Sequence, residues 1–524
     1  MNIPSFKLYF VLIIGKLEFV MSFATVYSRA RVGINAPLVT IEVHISNGLP
    51  SFQIVGLPDA SVRESRDRVR SALVNSDFQF PQTRLTVNLS PADIPKEGAR
   101  FDLAIAVGIL AASAQVPVDK LIQYEFYGEL GLNGDVRGII GEIPTTMACG
   151  KAQRICILPK ENISQAGLVE NTEILEASTL MEVFHHLTGQ QNLAFHPPNK
   201  NSDNTHMVSG HDLNDVIGQT MAKRALEIAA AGQHNLLFLG PPGTGKSMLA
   251  SRLASILPEM SIEQALQTAA IHSVSGKPFD FTKWRTRPFR NPHHTASGVA
   301  LVGGGSVPKP GEISLSHNGV LFLDELPEFD RKVLDVLREP METGVITISR
   351  ATQQADFPAR FQFVGALNPS PTGHYNDGRS TSDQVLRYLN KISGPLLDRI
   401  DIQIDVPALP KGALTGNNHS GETSAVVKQR VNQAREIMLT RAGKPNALLS
   451  SKEVAKYCVL LKDDQLFLEN TIHHLNMSIR AYHKILKVAR TIADLQQTKD
   501  INKGHLTEAL NYRAMDRLLA HLSQ

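Results

Sequence analysis

The chain has 524 residues, of which 42% are hydrophobic and 20% charged, as in ordinary globular proteins of about three or four domains. Its 53 basic and 50 acidic side chains leave a formal charge of +3, which neither requires nor excludes a nucleic-acid partner. Three cysteines are too few for a disulfide framework and suit buried thiols in a reducing cytoplasm. No apolar stretch reaches roughly 18 residues, so neither a transmembrane helix nor a membrane partner is expected.

The first twenty residues contain a short apolar run, Leu8 to Ile14, that lacks the flanks of a signal peptide. A single lysine precedes the run, and charged and bulky residues follow it where a cleavage site needs small ones. Met21 then opens "MSFATVYSRA", which is typical of a natural start. We therefore expect residues 1–20 to be a non-native N-terminal extension from an upstream start codon.

Residues 21–190 mix strand and helix patterns. Alternating apolar residues predict strands at "LVTIEVHIS" (38–46) and "RLTVNLS" (84–90). The charged, periodic "DASVRESRDRVRSALVNS" (59–76) predicts an amphipathic helix. "FDLAIAVGILAAS" (101–113) is apolar nearly all round, as a buried helix is. These patterns indicate one mixed domain of strands and helices.

Two polar stretches without periodicity divide the rest of the chain. Residues 191–210, with "HPPNKNSDNTHMVSG", and residues 410–424 are rich in Pro, Asn, Ser and Gly, which favours linkers. Between them, residues 211–409 alternate strands with helices, and residues 425–524 contain helical patterns only. The sequence therefore predicts an α/β core followed by a helical domain.

The core contains a phosphate-binding loop, "GPPGTGKS". It fits G-x-x-x-x-G-K-[ST], with the apolar strand "NLLFLG" before it and the helical "KSMLASRLASIL" after it. In such loops backbone N–H groups face phosphate oxygens, Lys246 reaches the β- and γ-phosphates, and the hydroxyl of Ser247 holds Mg²⁺. The pattern predicts ATP and Mg²⁺ as ligands, with these nucleotide-binding residues: Gly240, Pro241, Pro242, Gly243, Thr244, Gly245, Lys246 and Ser247.

Two further apolar strands end in polar residues. "GVLFLDE" ends in Asp324, placed to bind Mg²⁺, and Glu325, placed to polarise the attacking water. The alternative, a buried strand that happens to end in acids, is disfavoured by the phosphate loop in the same segment. "RFQFVGALN" ends in Asn368, which can position that water, although Asn-Pro also favours a simple turn.

Two arginines are candidates for neutralising transition-state charge. Arg399, in "GPLLDRIDI", suits a role on the nucleotide of a neighbouring subunit, which implies a ring or at least a dimer. Its alternative is a surface arginine paired with Asp398 or Asp401. Arg480 stands near the start of the helix "MSIRAYHKILKVARTIADL", where a helix ion pair explains it almost as well.

This order of motifs resembles the AAA+ ATPases. Within them, "DVIGQTMAKRALEIAAAGQHNLLFLGPPGTGKSMLASRL", "PFRNPHHTASGVALVGGG", "PGEISLSHNGVLFLDELPEF" and "ISGPLLDRIDI" resemble the magnesium-chelatase-like branch and its ComM/YifB family, over nearly the whole chain. The resemblance implies an α/β fold: an AAA+ P-loop parallel sheet with a helical lid, preceded by a Lon-protease-like α+β domain. It implies that Asn368 is sensor 1, Arg399 the trans arginine finger and Arg480 sensor 2, and that Ile217 and Gly218 line the adenine pocket.

The N-terminal segment departs from true Lon proteases. "IPKEGARFDLAIAVGILAA" and "GEIPTTMACGKAQRICILPKEN" resemble the Lon-like domain of this family. Arg100 stands where the nucleophilic serine would follow the turn, and "GIIGEIP" offers no lysine as base. Because a Ser–Lys mechanism needs both groups within hydrogen-bond reach, no peptidase activity is expected.

Zinc is not expected either. Relatives commonly carry two cysteine pairs after sensor 1, but this chain has Ser370 and Thr372 in the first two positions and no cysteine nearby. His374 alone cannot hold a structural zinc ion. The adjacent His293 and His294 point to different faces, so they are interpreted as part of a family loop and not as metal ligands.

Two insertions resemble those of the helix-2-insert clade of AAA+ proteins. One is "HHTASGVALVGGGSVPKPGEIS" with Lys309, and the other is "VITISRATQQADF", whose alternation predicts a β-hairpin with Arg350 near its turn. Both residues are candidates for sequence-neutral contacts to DNA phosphates, and solvated surface charge is the alternative.

The resemblance implies an ATP-driven, hexameric DNA motor in the cytoplasm. It would act as a branch-migration helicase on recombination intermediates in natural transformation, contacting branched, single- or double-stranded DNA. The alternative is an AAA+ protein-remodelling or chelatase-type motor subunit without a DNA substrate.

Overall fold

The computed structural model divides into two compact units, Met1–Asn199 and Lys200–Gln524. The predicted extension, residues 1–20, and Arg350 lie outside the described residues. Among the described helices, none combines the length and apolar character that crossing a membrane requires. The structure describes residues 22–197, 210–276, 280, 284–305, 308–349, 354–374, 379–410, 421–475 and 477–522.

The described part of the first unit alternates strands and helices. Its strands are β1 (Phe23–Arg29), β2 (Leu38–Ser46), β3 (Ser51–Val55), β4 (Arg84–Ser90), β5 (Tyr124–Phe126), β6 (Glu129–Leu130), β7 (Val136–Arg137), β8 (Ile155–Pro159), β9 (Ile174–Ala177) and β10 (Ala194–His196). Its helices are α1 (Ala60–Asn75), α2 (Asp102–Ala112), α3 (Glu142–Lys151), α4 (Ile163–Ala166) and α5 (Leu180–Thr188).

These strands form two four-stranded sheets. The first has the order β1-β2-β4-β3, in which only the β3–β4 pair is parallel, and the second has the order β10-β9-β8-β5, in which only the β10–β9 pair is antiparallel. The predicted strands and helices of this unit are confirmed. Helix α2 is buried along its whole length because its residues after Asp102 are apolar on every side. Asp102 itself is buried in an ion pair with Arg68. Strand β10 lies within the stretch predicted as a linker, so the folded part of this unit extends beyond residue 190.

The described part of the second unit is longer. Its strands are β11 (Leu236–Leu239), β12 (Phe289–Arg290), β13 (Gly303–Gly304), β14 (Lys309–Pro310), β15 (Val320–Leu323), β16 (Val345–Ser349), β17 (Gln354–Pro358), β18 (Gln362–Leu367) and β19 (Ile402–Asp405). Its first helices are α6 (Thr220–Gly232), α7 (Lys246–Ile256), α8 (Ile262–Val274), α9 (Gly298–Val302), α10 (Glu312–Leu315), α11 (Arg331–Val336), α12 (Arg338–Thr343), α13 (Ser382–Leu389) and α14 (Gly394–Leu397). The C-terminal helices are α15 (Ser424–Ala442), α16 (Ser451–Tyr457), α17 (Lys462–His474), α18 (Ile479–Leu495), α19 (Lys503–Asn511) and α20 (Ala514–Leu522).

Five strands of this unit form a fully parallel sheet in the order β12-β15-β18-β11-β19. The central strands are apolar runs because both faces of a parallel sheet are covered. The carboxyl ends of β11, β15 and β18 therefore meet at one edge, where ligands of open parallel sheets bind. The predicted hairpin is confirmed as the antiparallel pair β16–β17.

A buried network of polar side chains joins the C-terminal helices to the sheet. His234, just before β11, lies 2.8 Å through Nε2 from the hydroxyl of Thr491 on α18. Asn446 donates a hydrogen bond of 3.0 Å to the same hydroxyl and one of 2.9 Å to Asp494. Arg441 of α15 donates to both oxygens of Asp494, at 2.7 and 2.6 Å. Because such groups are costly to bury unpaired, the network fixes how the helices sit on the core.

Gly240 sits where β11 runs into the phosphate loop, and the backbone after β19 leaves no room for a side chain there. An added Cβ would overlap the carbonyl oxygen of Val406 and lie 3.1 Å from its carbonyl carbon. We expect Gly240→Ala to lower the free energy of unfolding by on the order of 1–3 kcal/mol, measured by urea denaturation. Gly394→Ala is the matched control, because nothing lies within 4 Å of a Cβ at Gly394. Equal stability of the two variants would contradict this close approach.

Candidate nucleotide site

The phosphate loop joins β11 to α7. Gly243 and Gly245 have φ angles of 77° and 87°, which favour glycine, and α7 begins directly after Gly245. The hydroxyl of Thr244 donates to the carbonyl of Pro241 at 3.0 Å. The loop therefore ends at a helix N-terminus, which attracts phosphate oxygens.

Lys246 lies at the centre of the loop. Its ammonium donates to the carbonyls of Gly240 at 2.7 Å and Pro241 at 2.8 Å, and to Oδ1 of Asn368 at 3.1 Å. Burial lowers the pKa of Lys246, while the carboxylates that follow β15 act in the opposite direction. The structure thus brings together the lysine of the loop after β11 and the asparagine that follows β18.

The hydroxyl of Ser247 donates a hydrogen bond to Oδ2 of Asp324, which directly follows β15. The other oxygen, Oδ1, accepts the backbone N–H of Glu325 at 2.9 Å. A hydroxyl and a carboxylate are oxygen ligands, and Mg²⁺ takes such ligands together with phosphate oxygens and water. The donor set of Ser247 and Asp324 therefore fits Mg²⁺.

Glu325 has a neighbour that sequence reasoning missed. Its Oε2 lies 3.3 Å from Nδ1 of His294, and just over half of the Glu325 side chain is exposed. His294 follows β12, which is the neighbour of β15 in the sheet. The sequence signal for a site role of His294 was its position after a strand, but a strand of two residues is too short to recognise from its pattern.

Arg399 and Arg480 lie in a separate cluster. Arg399 forms an ion pair with Glu342 of α12 and donates to the carbonyl of Arg338 at 3.2 Å. The predicted alternative, an ion pair of Arg399 with Asp398 or Asp401, is wrong in its partner. The carboxylate is that of Glu342, on a helix distant in sequence. Arg480 pairs with Asp398 at 3.3 Å. In the described part of the chain, no hydrogen bond or ion pair joins either arginine to Asp324, Glu325 or Asn368.

Lys484, one turn after Arg480 on α18, is half-buried beside this cluster. Its ammonium donates to the carbonyls of Asp398 and Ile400, the latter at 3.1 Å. Burial is the main cause that lowers the pKa of Lys484 to about 8 from its usual 10.5. The helical domain therefore holds the backbone on both sides of Arg399 through a lysine that titrates early.

This pKa predicts a pH-dependent stability. Between the two pKa values the unfolded chain carries a proton on Lys484 that the folded chain lacks, so its contribution to the free energy of unfolding rises with pH. We expect wild type to gain stability over Lys484→Met as pH rises from about 8 to 10, by at most about 1.4 kcal/mol per pH unit. Urea denaturation at several pH values measures it, with exposed Lys456→Met as control. A stability difference that does not change with pH would contradict the lowered pKa of Lys484.

Ile217 and Gly218 line a cleft of about 420 Å³. Across it, Arg430 of α15 pairs with Glu227 of α6 at 2.6 Å. The side-chain amide of Gln219, the next residue, donates a hydrogen bond of 3.4 Å to the carbonyl of Thr244 in the phosphate loop. The cleft therefore adjoins the loop, and the assignment of adenine to it stays a prediction.

The two insertions form neighbouring hairpins. Lys309 is exposed on β14, which pairs with β13. Gly303 of β13 packs against Ile348 of β16. The cationic candidate Lys309 thus stands on a surface shared by both predicted DNA-contacting elements.

Comparisons with known proteins show the family of this chain. Models of the magnesium chelatase subunit ChlI match residues 41–162, 212–414 and, for its C-terminal part, 421–513. The chain is 56% identical to competence protein ComM of Haemophilus influenzae over 507 residues, which cover 96% of this chain and 100% of that protein. The chain belongs to the ComM/YifB family of magnesium-chelatase-like proteins. YifB of Escherichia coli is 52% identical over 506 residues, 96% of this chain and 99% of its own.

A more distant relative shares part of the chain. The magnesium-chelatase 67 kDa subunit of Chlorobaculum tepidum is 28% identical over 160 residues, 30% of this chain and 23% of that subunit. Family membership confirms the resemblance drawn from the motifs and supports ATP and Mg²⁺ as ligands of an ATPase. The N-terminal match is to a ChlI model, so the Lon-like character of residues 21–190 stays a prediction.

Proposed function

We propose that this protein is an ATP-driven DNA motor that migrates branched recombination intermediates during natural transformation. The observation that carries the proposal is the cluster of Lys246, Ser247, Asp324 and Asn368 at one sheet edge, in a chain 56% identical to a competence protein. The cluster supports nucleotide hydrolysis, and the relative supports a use on DNA.

In this proposal each residue of the edge has one task in hydrolysis. Lys246 exchanges its carbonyl partners for the β- and γ-phosphates, and Ser247 and Asp324 hold Mg²⁺, which supplies charge neutralisation when bound. Glu325 accepts a proton from the attacking water, and Asn368 orients that water. Because Asn368 also contacts Lys246, it senses whether the lysine is engaged with phosphate.

A homo-oligomeric ring, expected to be a hexamer, completes the site. Arg399 supplies positive charge to the nucleotide of the neighbouring subunit, and Arg480 acts as sensor 2 from the helical lid. In the single chain the guanidinium of Arg399 is held by Glu342, so engagement of a neighbour requires that this ion pair open. An arginine acting in trans links hydrolysis to assembly.

DNA would be contacted by the hairpins, without base readout. Lys309 and Arg350 are the proposed phosphate contacts, and such contacts give sequence-neutral, salt-dependent binding. A motor that travels along DNA needs this kind of contact, because it must bind every sequence alike.

A second candidate function is a protein-remodelling or chelatase-type motor subunit without a DNA substrate. The observation that favours it is the match of three ChlI models along the chain. The nucleotide site would be the same, and only the substrate of the motor would differ.

Steady-state ATPase assays with and without branched DNA separate the two functions. The DNA motor predicts that DNA stimulates ATP hydrolysis several-fold, and that Lys309→Ala weakens this stimulation while sparing basal hydrolysis. Hydrolysis that ignores DNA and responds only to a protein partner would reject the DNA motor in favour of the second function.

A further inference from the structure

A cationic groove lies beside Glu325 in the second unit. It encloses about 850 Å³ between the loop after β12, the start of α11 and one face of α13. A neighbouring cleft of about 470 Å³ shares Glu328, Arg387 and Lys391 with it. Together they are lined by four cationic and two acidic side chains: Arg331, Arg379, Arg387, Lys391, Glu328 and Asp330.

The positive charge of the groove is only partly compensated. In the described part of the chain, neither Arg331 nor Arg387 has a carboxylate within ion-pair distance. Asp330 is already used as the cap of α11, where it accepts the N–H of Lys332 at 2.7 Å. Glu328 lies 4.0 Å from Lys391, at the limit of an ion pair between exposed groups, which contributes little. Two guanidinium groups therefore face solvent in a concave surface without a counter-ion from the described residues.

Residues that line the groove and the neighbouring cleft contact Glu325 and Asn368, the residues proposed to activate and position water. His294 lines the groove and contacts Glu325 at 3.3 Å. Tyr388 lies on α13 one residue after Arg387 and lines the neighbouring cleft. Burial raises its pKa to about 12, the charges of Glu328 and Glu325 act in the same direction, and a hydrogen bond with the backbone of Asn368 acts to lower it. A ligand that shifts α13 or the loop after β12 thus acts on the residues proposed to activate and position water.

We propose that this groove binds the phosphate backbone of DNA. DNA binding there affects the nucleotide site through His294 and Tyr388. The inference rests on the proposed DNA motor and names a contact surface for it. Guanidinium groups match phosphate with two parallel hydrogen bonds. Arg387 lies on α13 and Lys391 follows the end of that helix, and both line the groove.

The position of the groove favours DNA over an acidic protein surface. Helix α11, which carries Arg331, contacts α9 in the insertion that also carries Lys309. His294, Thr295 and Ala296 of the same insertion also line the groove, so the groove adjoins the insertion that carries Lys309. A DNA backbone carries one charge per 3.4 Å of strand, so a strand bound at this insertion offers a phosphate to each nearby cation, whereas an acidic protein surface has no such regular spacing.

The test compares two triple variants with the same loss of charge. One removes the groove cations Arg331, Arg387 and Lys391, and the control is K452A/K462A/K499A, which removes exposed lysines of the helical domain. Binding of a labelled three-way DNA junction is measured by fluorescence anisotropy over a range of salt concentrations, and ATPase activity is measured with and without that DNA.

The groove variant R331A/R387A/K391A is expected to bind the junction at least about tenfold more weakly, with a log–log salt slope reduced by about two to three. DNA stimulation of its ATPase is expected to be lost while basal hydrolysis stays unchanged. The control should behave as wild type. If the triple variant fails to fold, Arg387→Ala and Lys391→Ala carry the same test separately, each with a slope reduced by about one.

Three outcomes would overturn the inference, and they differ in whether they also reject the proposed DNA motor. If wild type binds the junction and the groove variant binds it equally with the same slope, the groove is rejected and the DNA motor stands. If wild type binds no DNA, the motor and the groove are rejected together. If the groove variant loses only its oligomeric state in native mass spectrometry, with DNA binding per chain intact, the groove is a contact between copies of this chain.

Discussion

Lys246→Ala is expected to reduce kcat for ATP hydrolysis by on the order of 1000-fold and to weaken ATP binding. The ammonium is the only charged donor that the structure places among the loop carbonyls and Asn368, within the described residues. Without it, the loop loses the charge that meets the β- and γ-phosphates. Steady-state ATPase assays give kcat, and titration with a fluorescent ATP analogue gives the Kd.

Lys332→Ala is the control for this loss, because Lys332 is an exposed lysine of the same unit. Both variants should melt close to wild type, since the contacts of Lys246 are to loop carbonyls that water can satisfy. A Lys246→Ala protein that retains kcat within a few-fold of wild type would contradict the assignment of this loop as the catalytic phosphate site.

Glu325→Gln is expected to separate hydrolysis from binding. Glutamine keeps the size of the side chain but cannot accept the proton of the attacking water, so kcat should fall by about 100- to 10,000-fold. ATP affinity should stay near wild type, because the hydrogen bond between Ser247 and Asp324 does not involve the side chain of Glu325. Single-turnover hydrolysis and the nucleotide titration measure the two quantities.

Glu328→Gln is the matched control, an exposed glutamate of the same loop with a side chain exposed to nearly the same extent. It should leave kcat close to wild type. If Glu325→Gln instead weakened ATP binding as much as it slowed hydrolysis, Glu325 would be a binding residue and not the group that activates water.

The sequence was informative where one polar residue follows a long apolar strand. Asp324 and Asn368 were predicted at the same edge because β15 and β18 are buried runs, and their carboxyl ends do meet there. Lys246 was predicted from the spacing of the loop, whose glycines adopt the positive φ angles that the spacing requires. Local pattern and tertiary position agree at these residues.

The partners of the other residues were not predictable from local sequence. Glu342 is 57 positions from Arg399, and a second hydrogen bond, from Arg399 to the carbonyl of Arg338 on the same helix, accompanies that pairing. His294 was missed because β12 acquires its strand character only by pairing with β15. Strand β10 was assigned to a linker for the same reason, since three residues show no alternation until they pair with β9.

The central claim, that this nucleotide site drives movement on branched DNA, is tested most directly by a labelled three-way junction incubated with ATP and Mg²⁺. Wild type is expected to resolve the junction into its duplex products, at a rate that depends on ATP. Glu325→Gln is expected to bind the junction and leave it intact. A wild-type protein that hydrolyses ATP and binds the junction, yet never resolves it at any protein concentration, would contradict the claim.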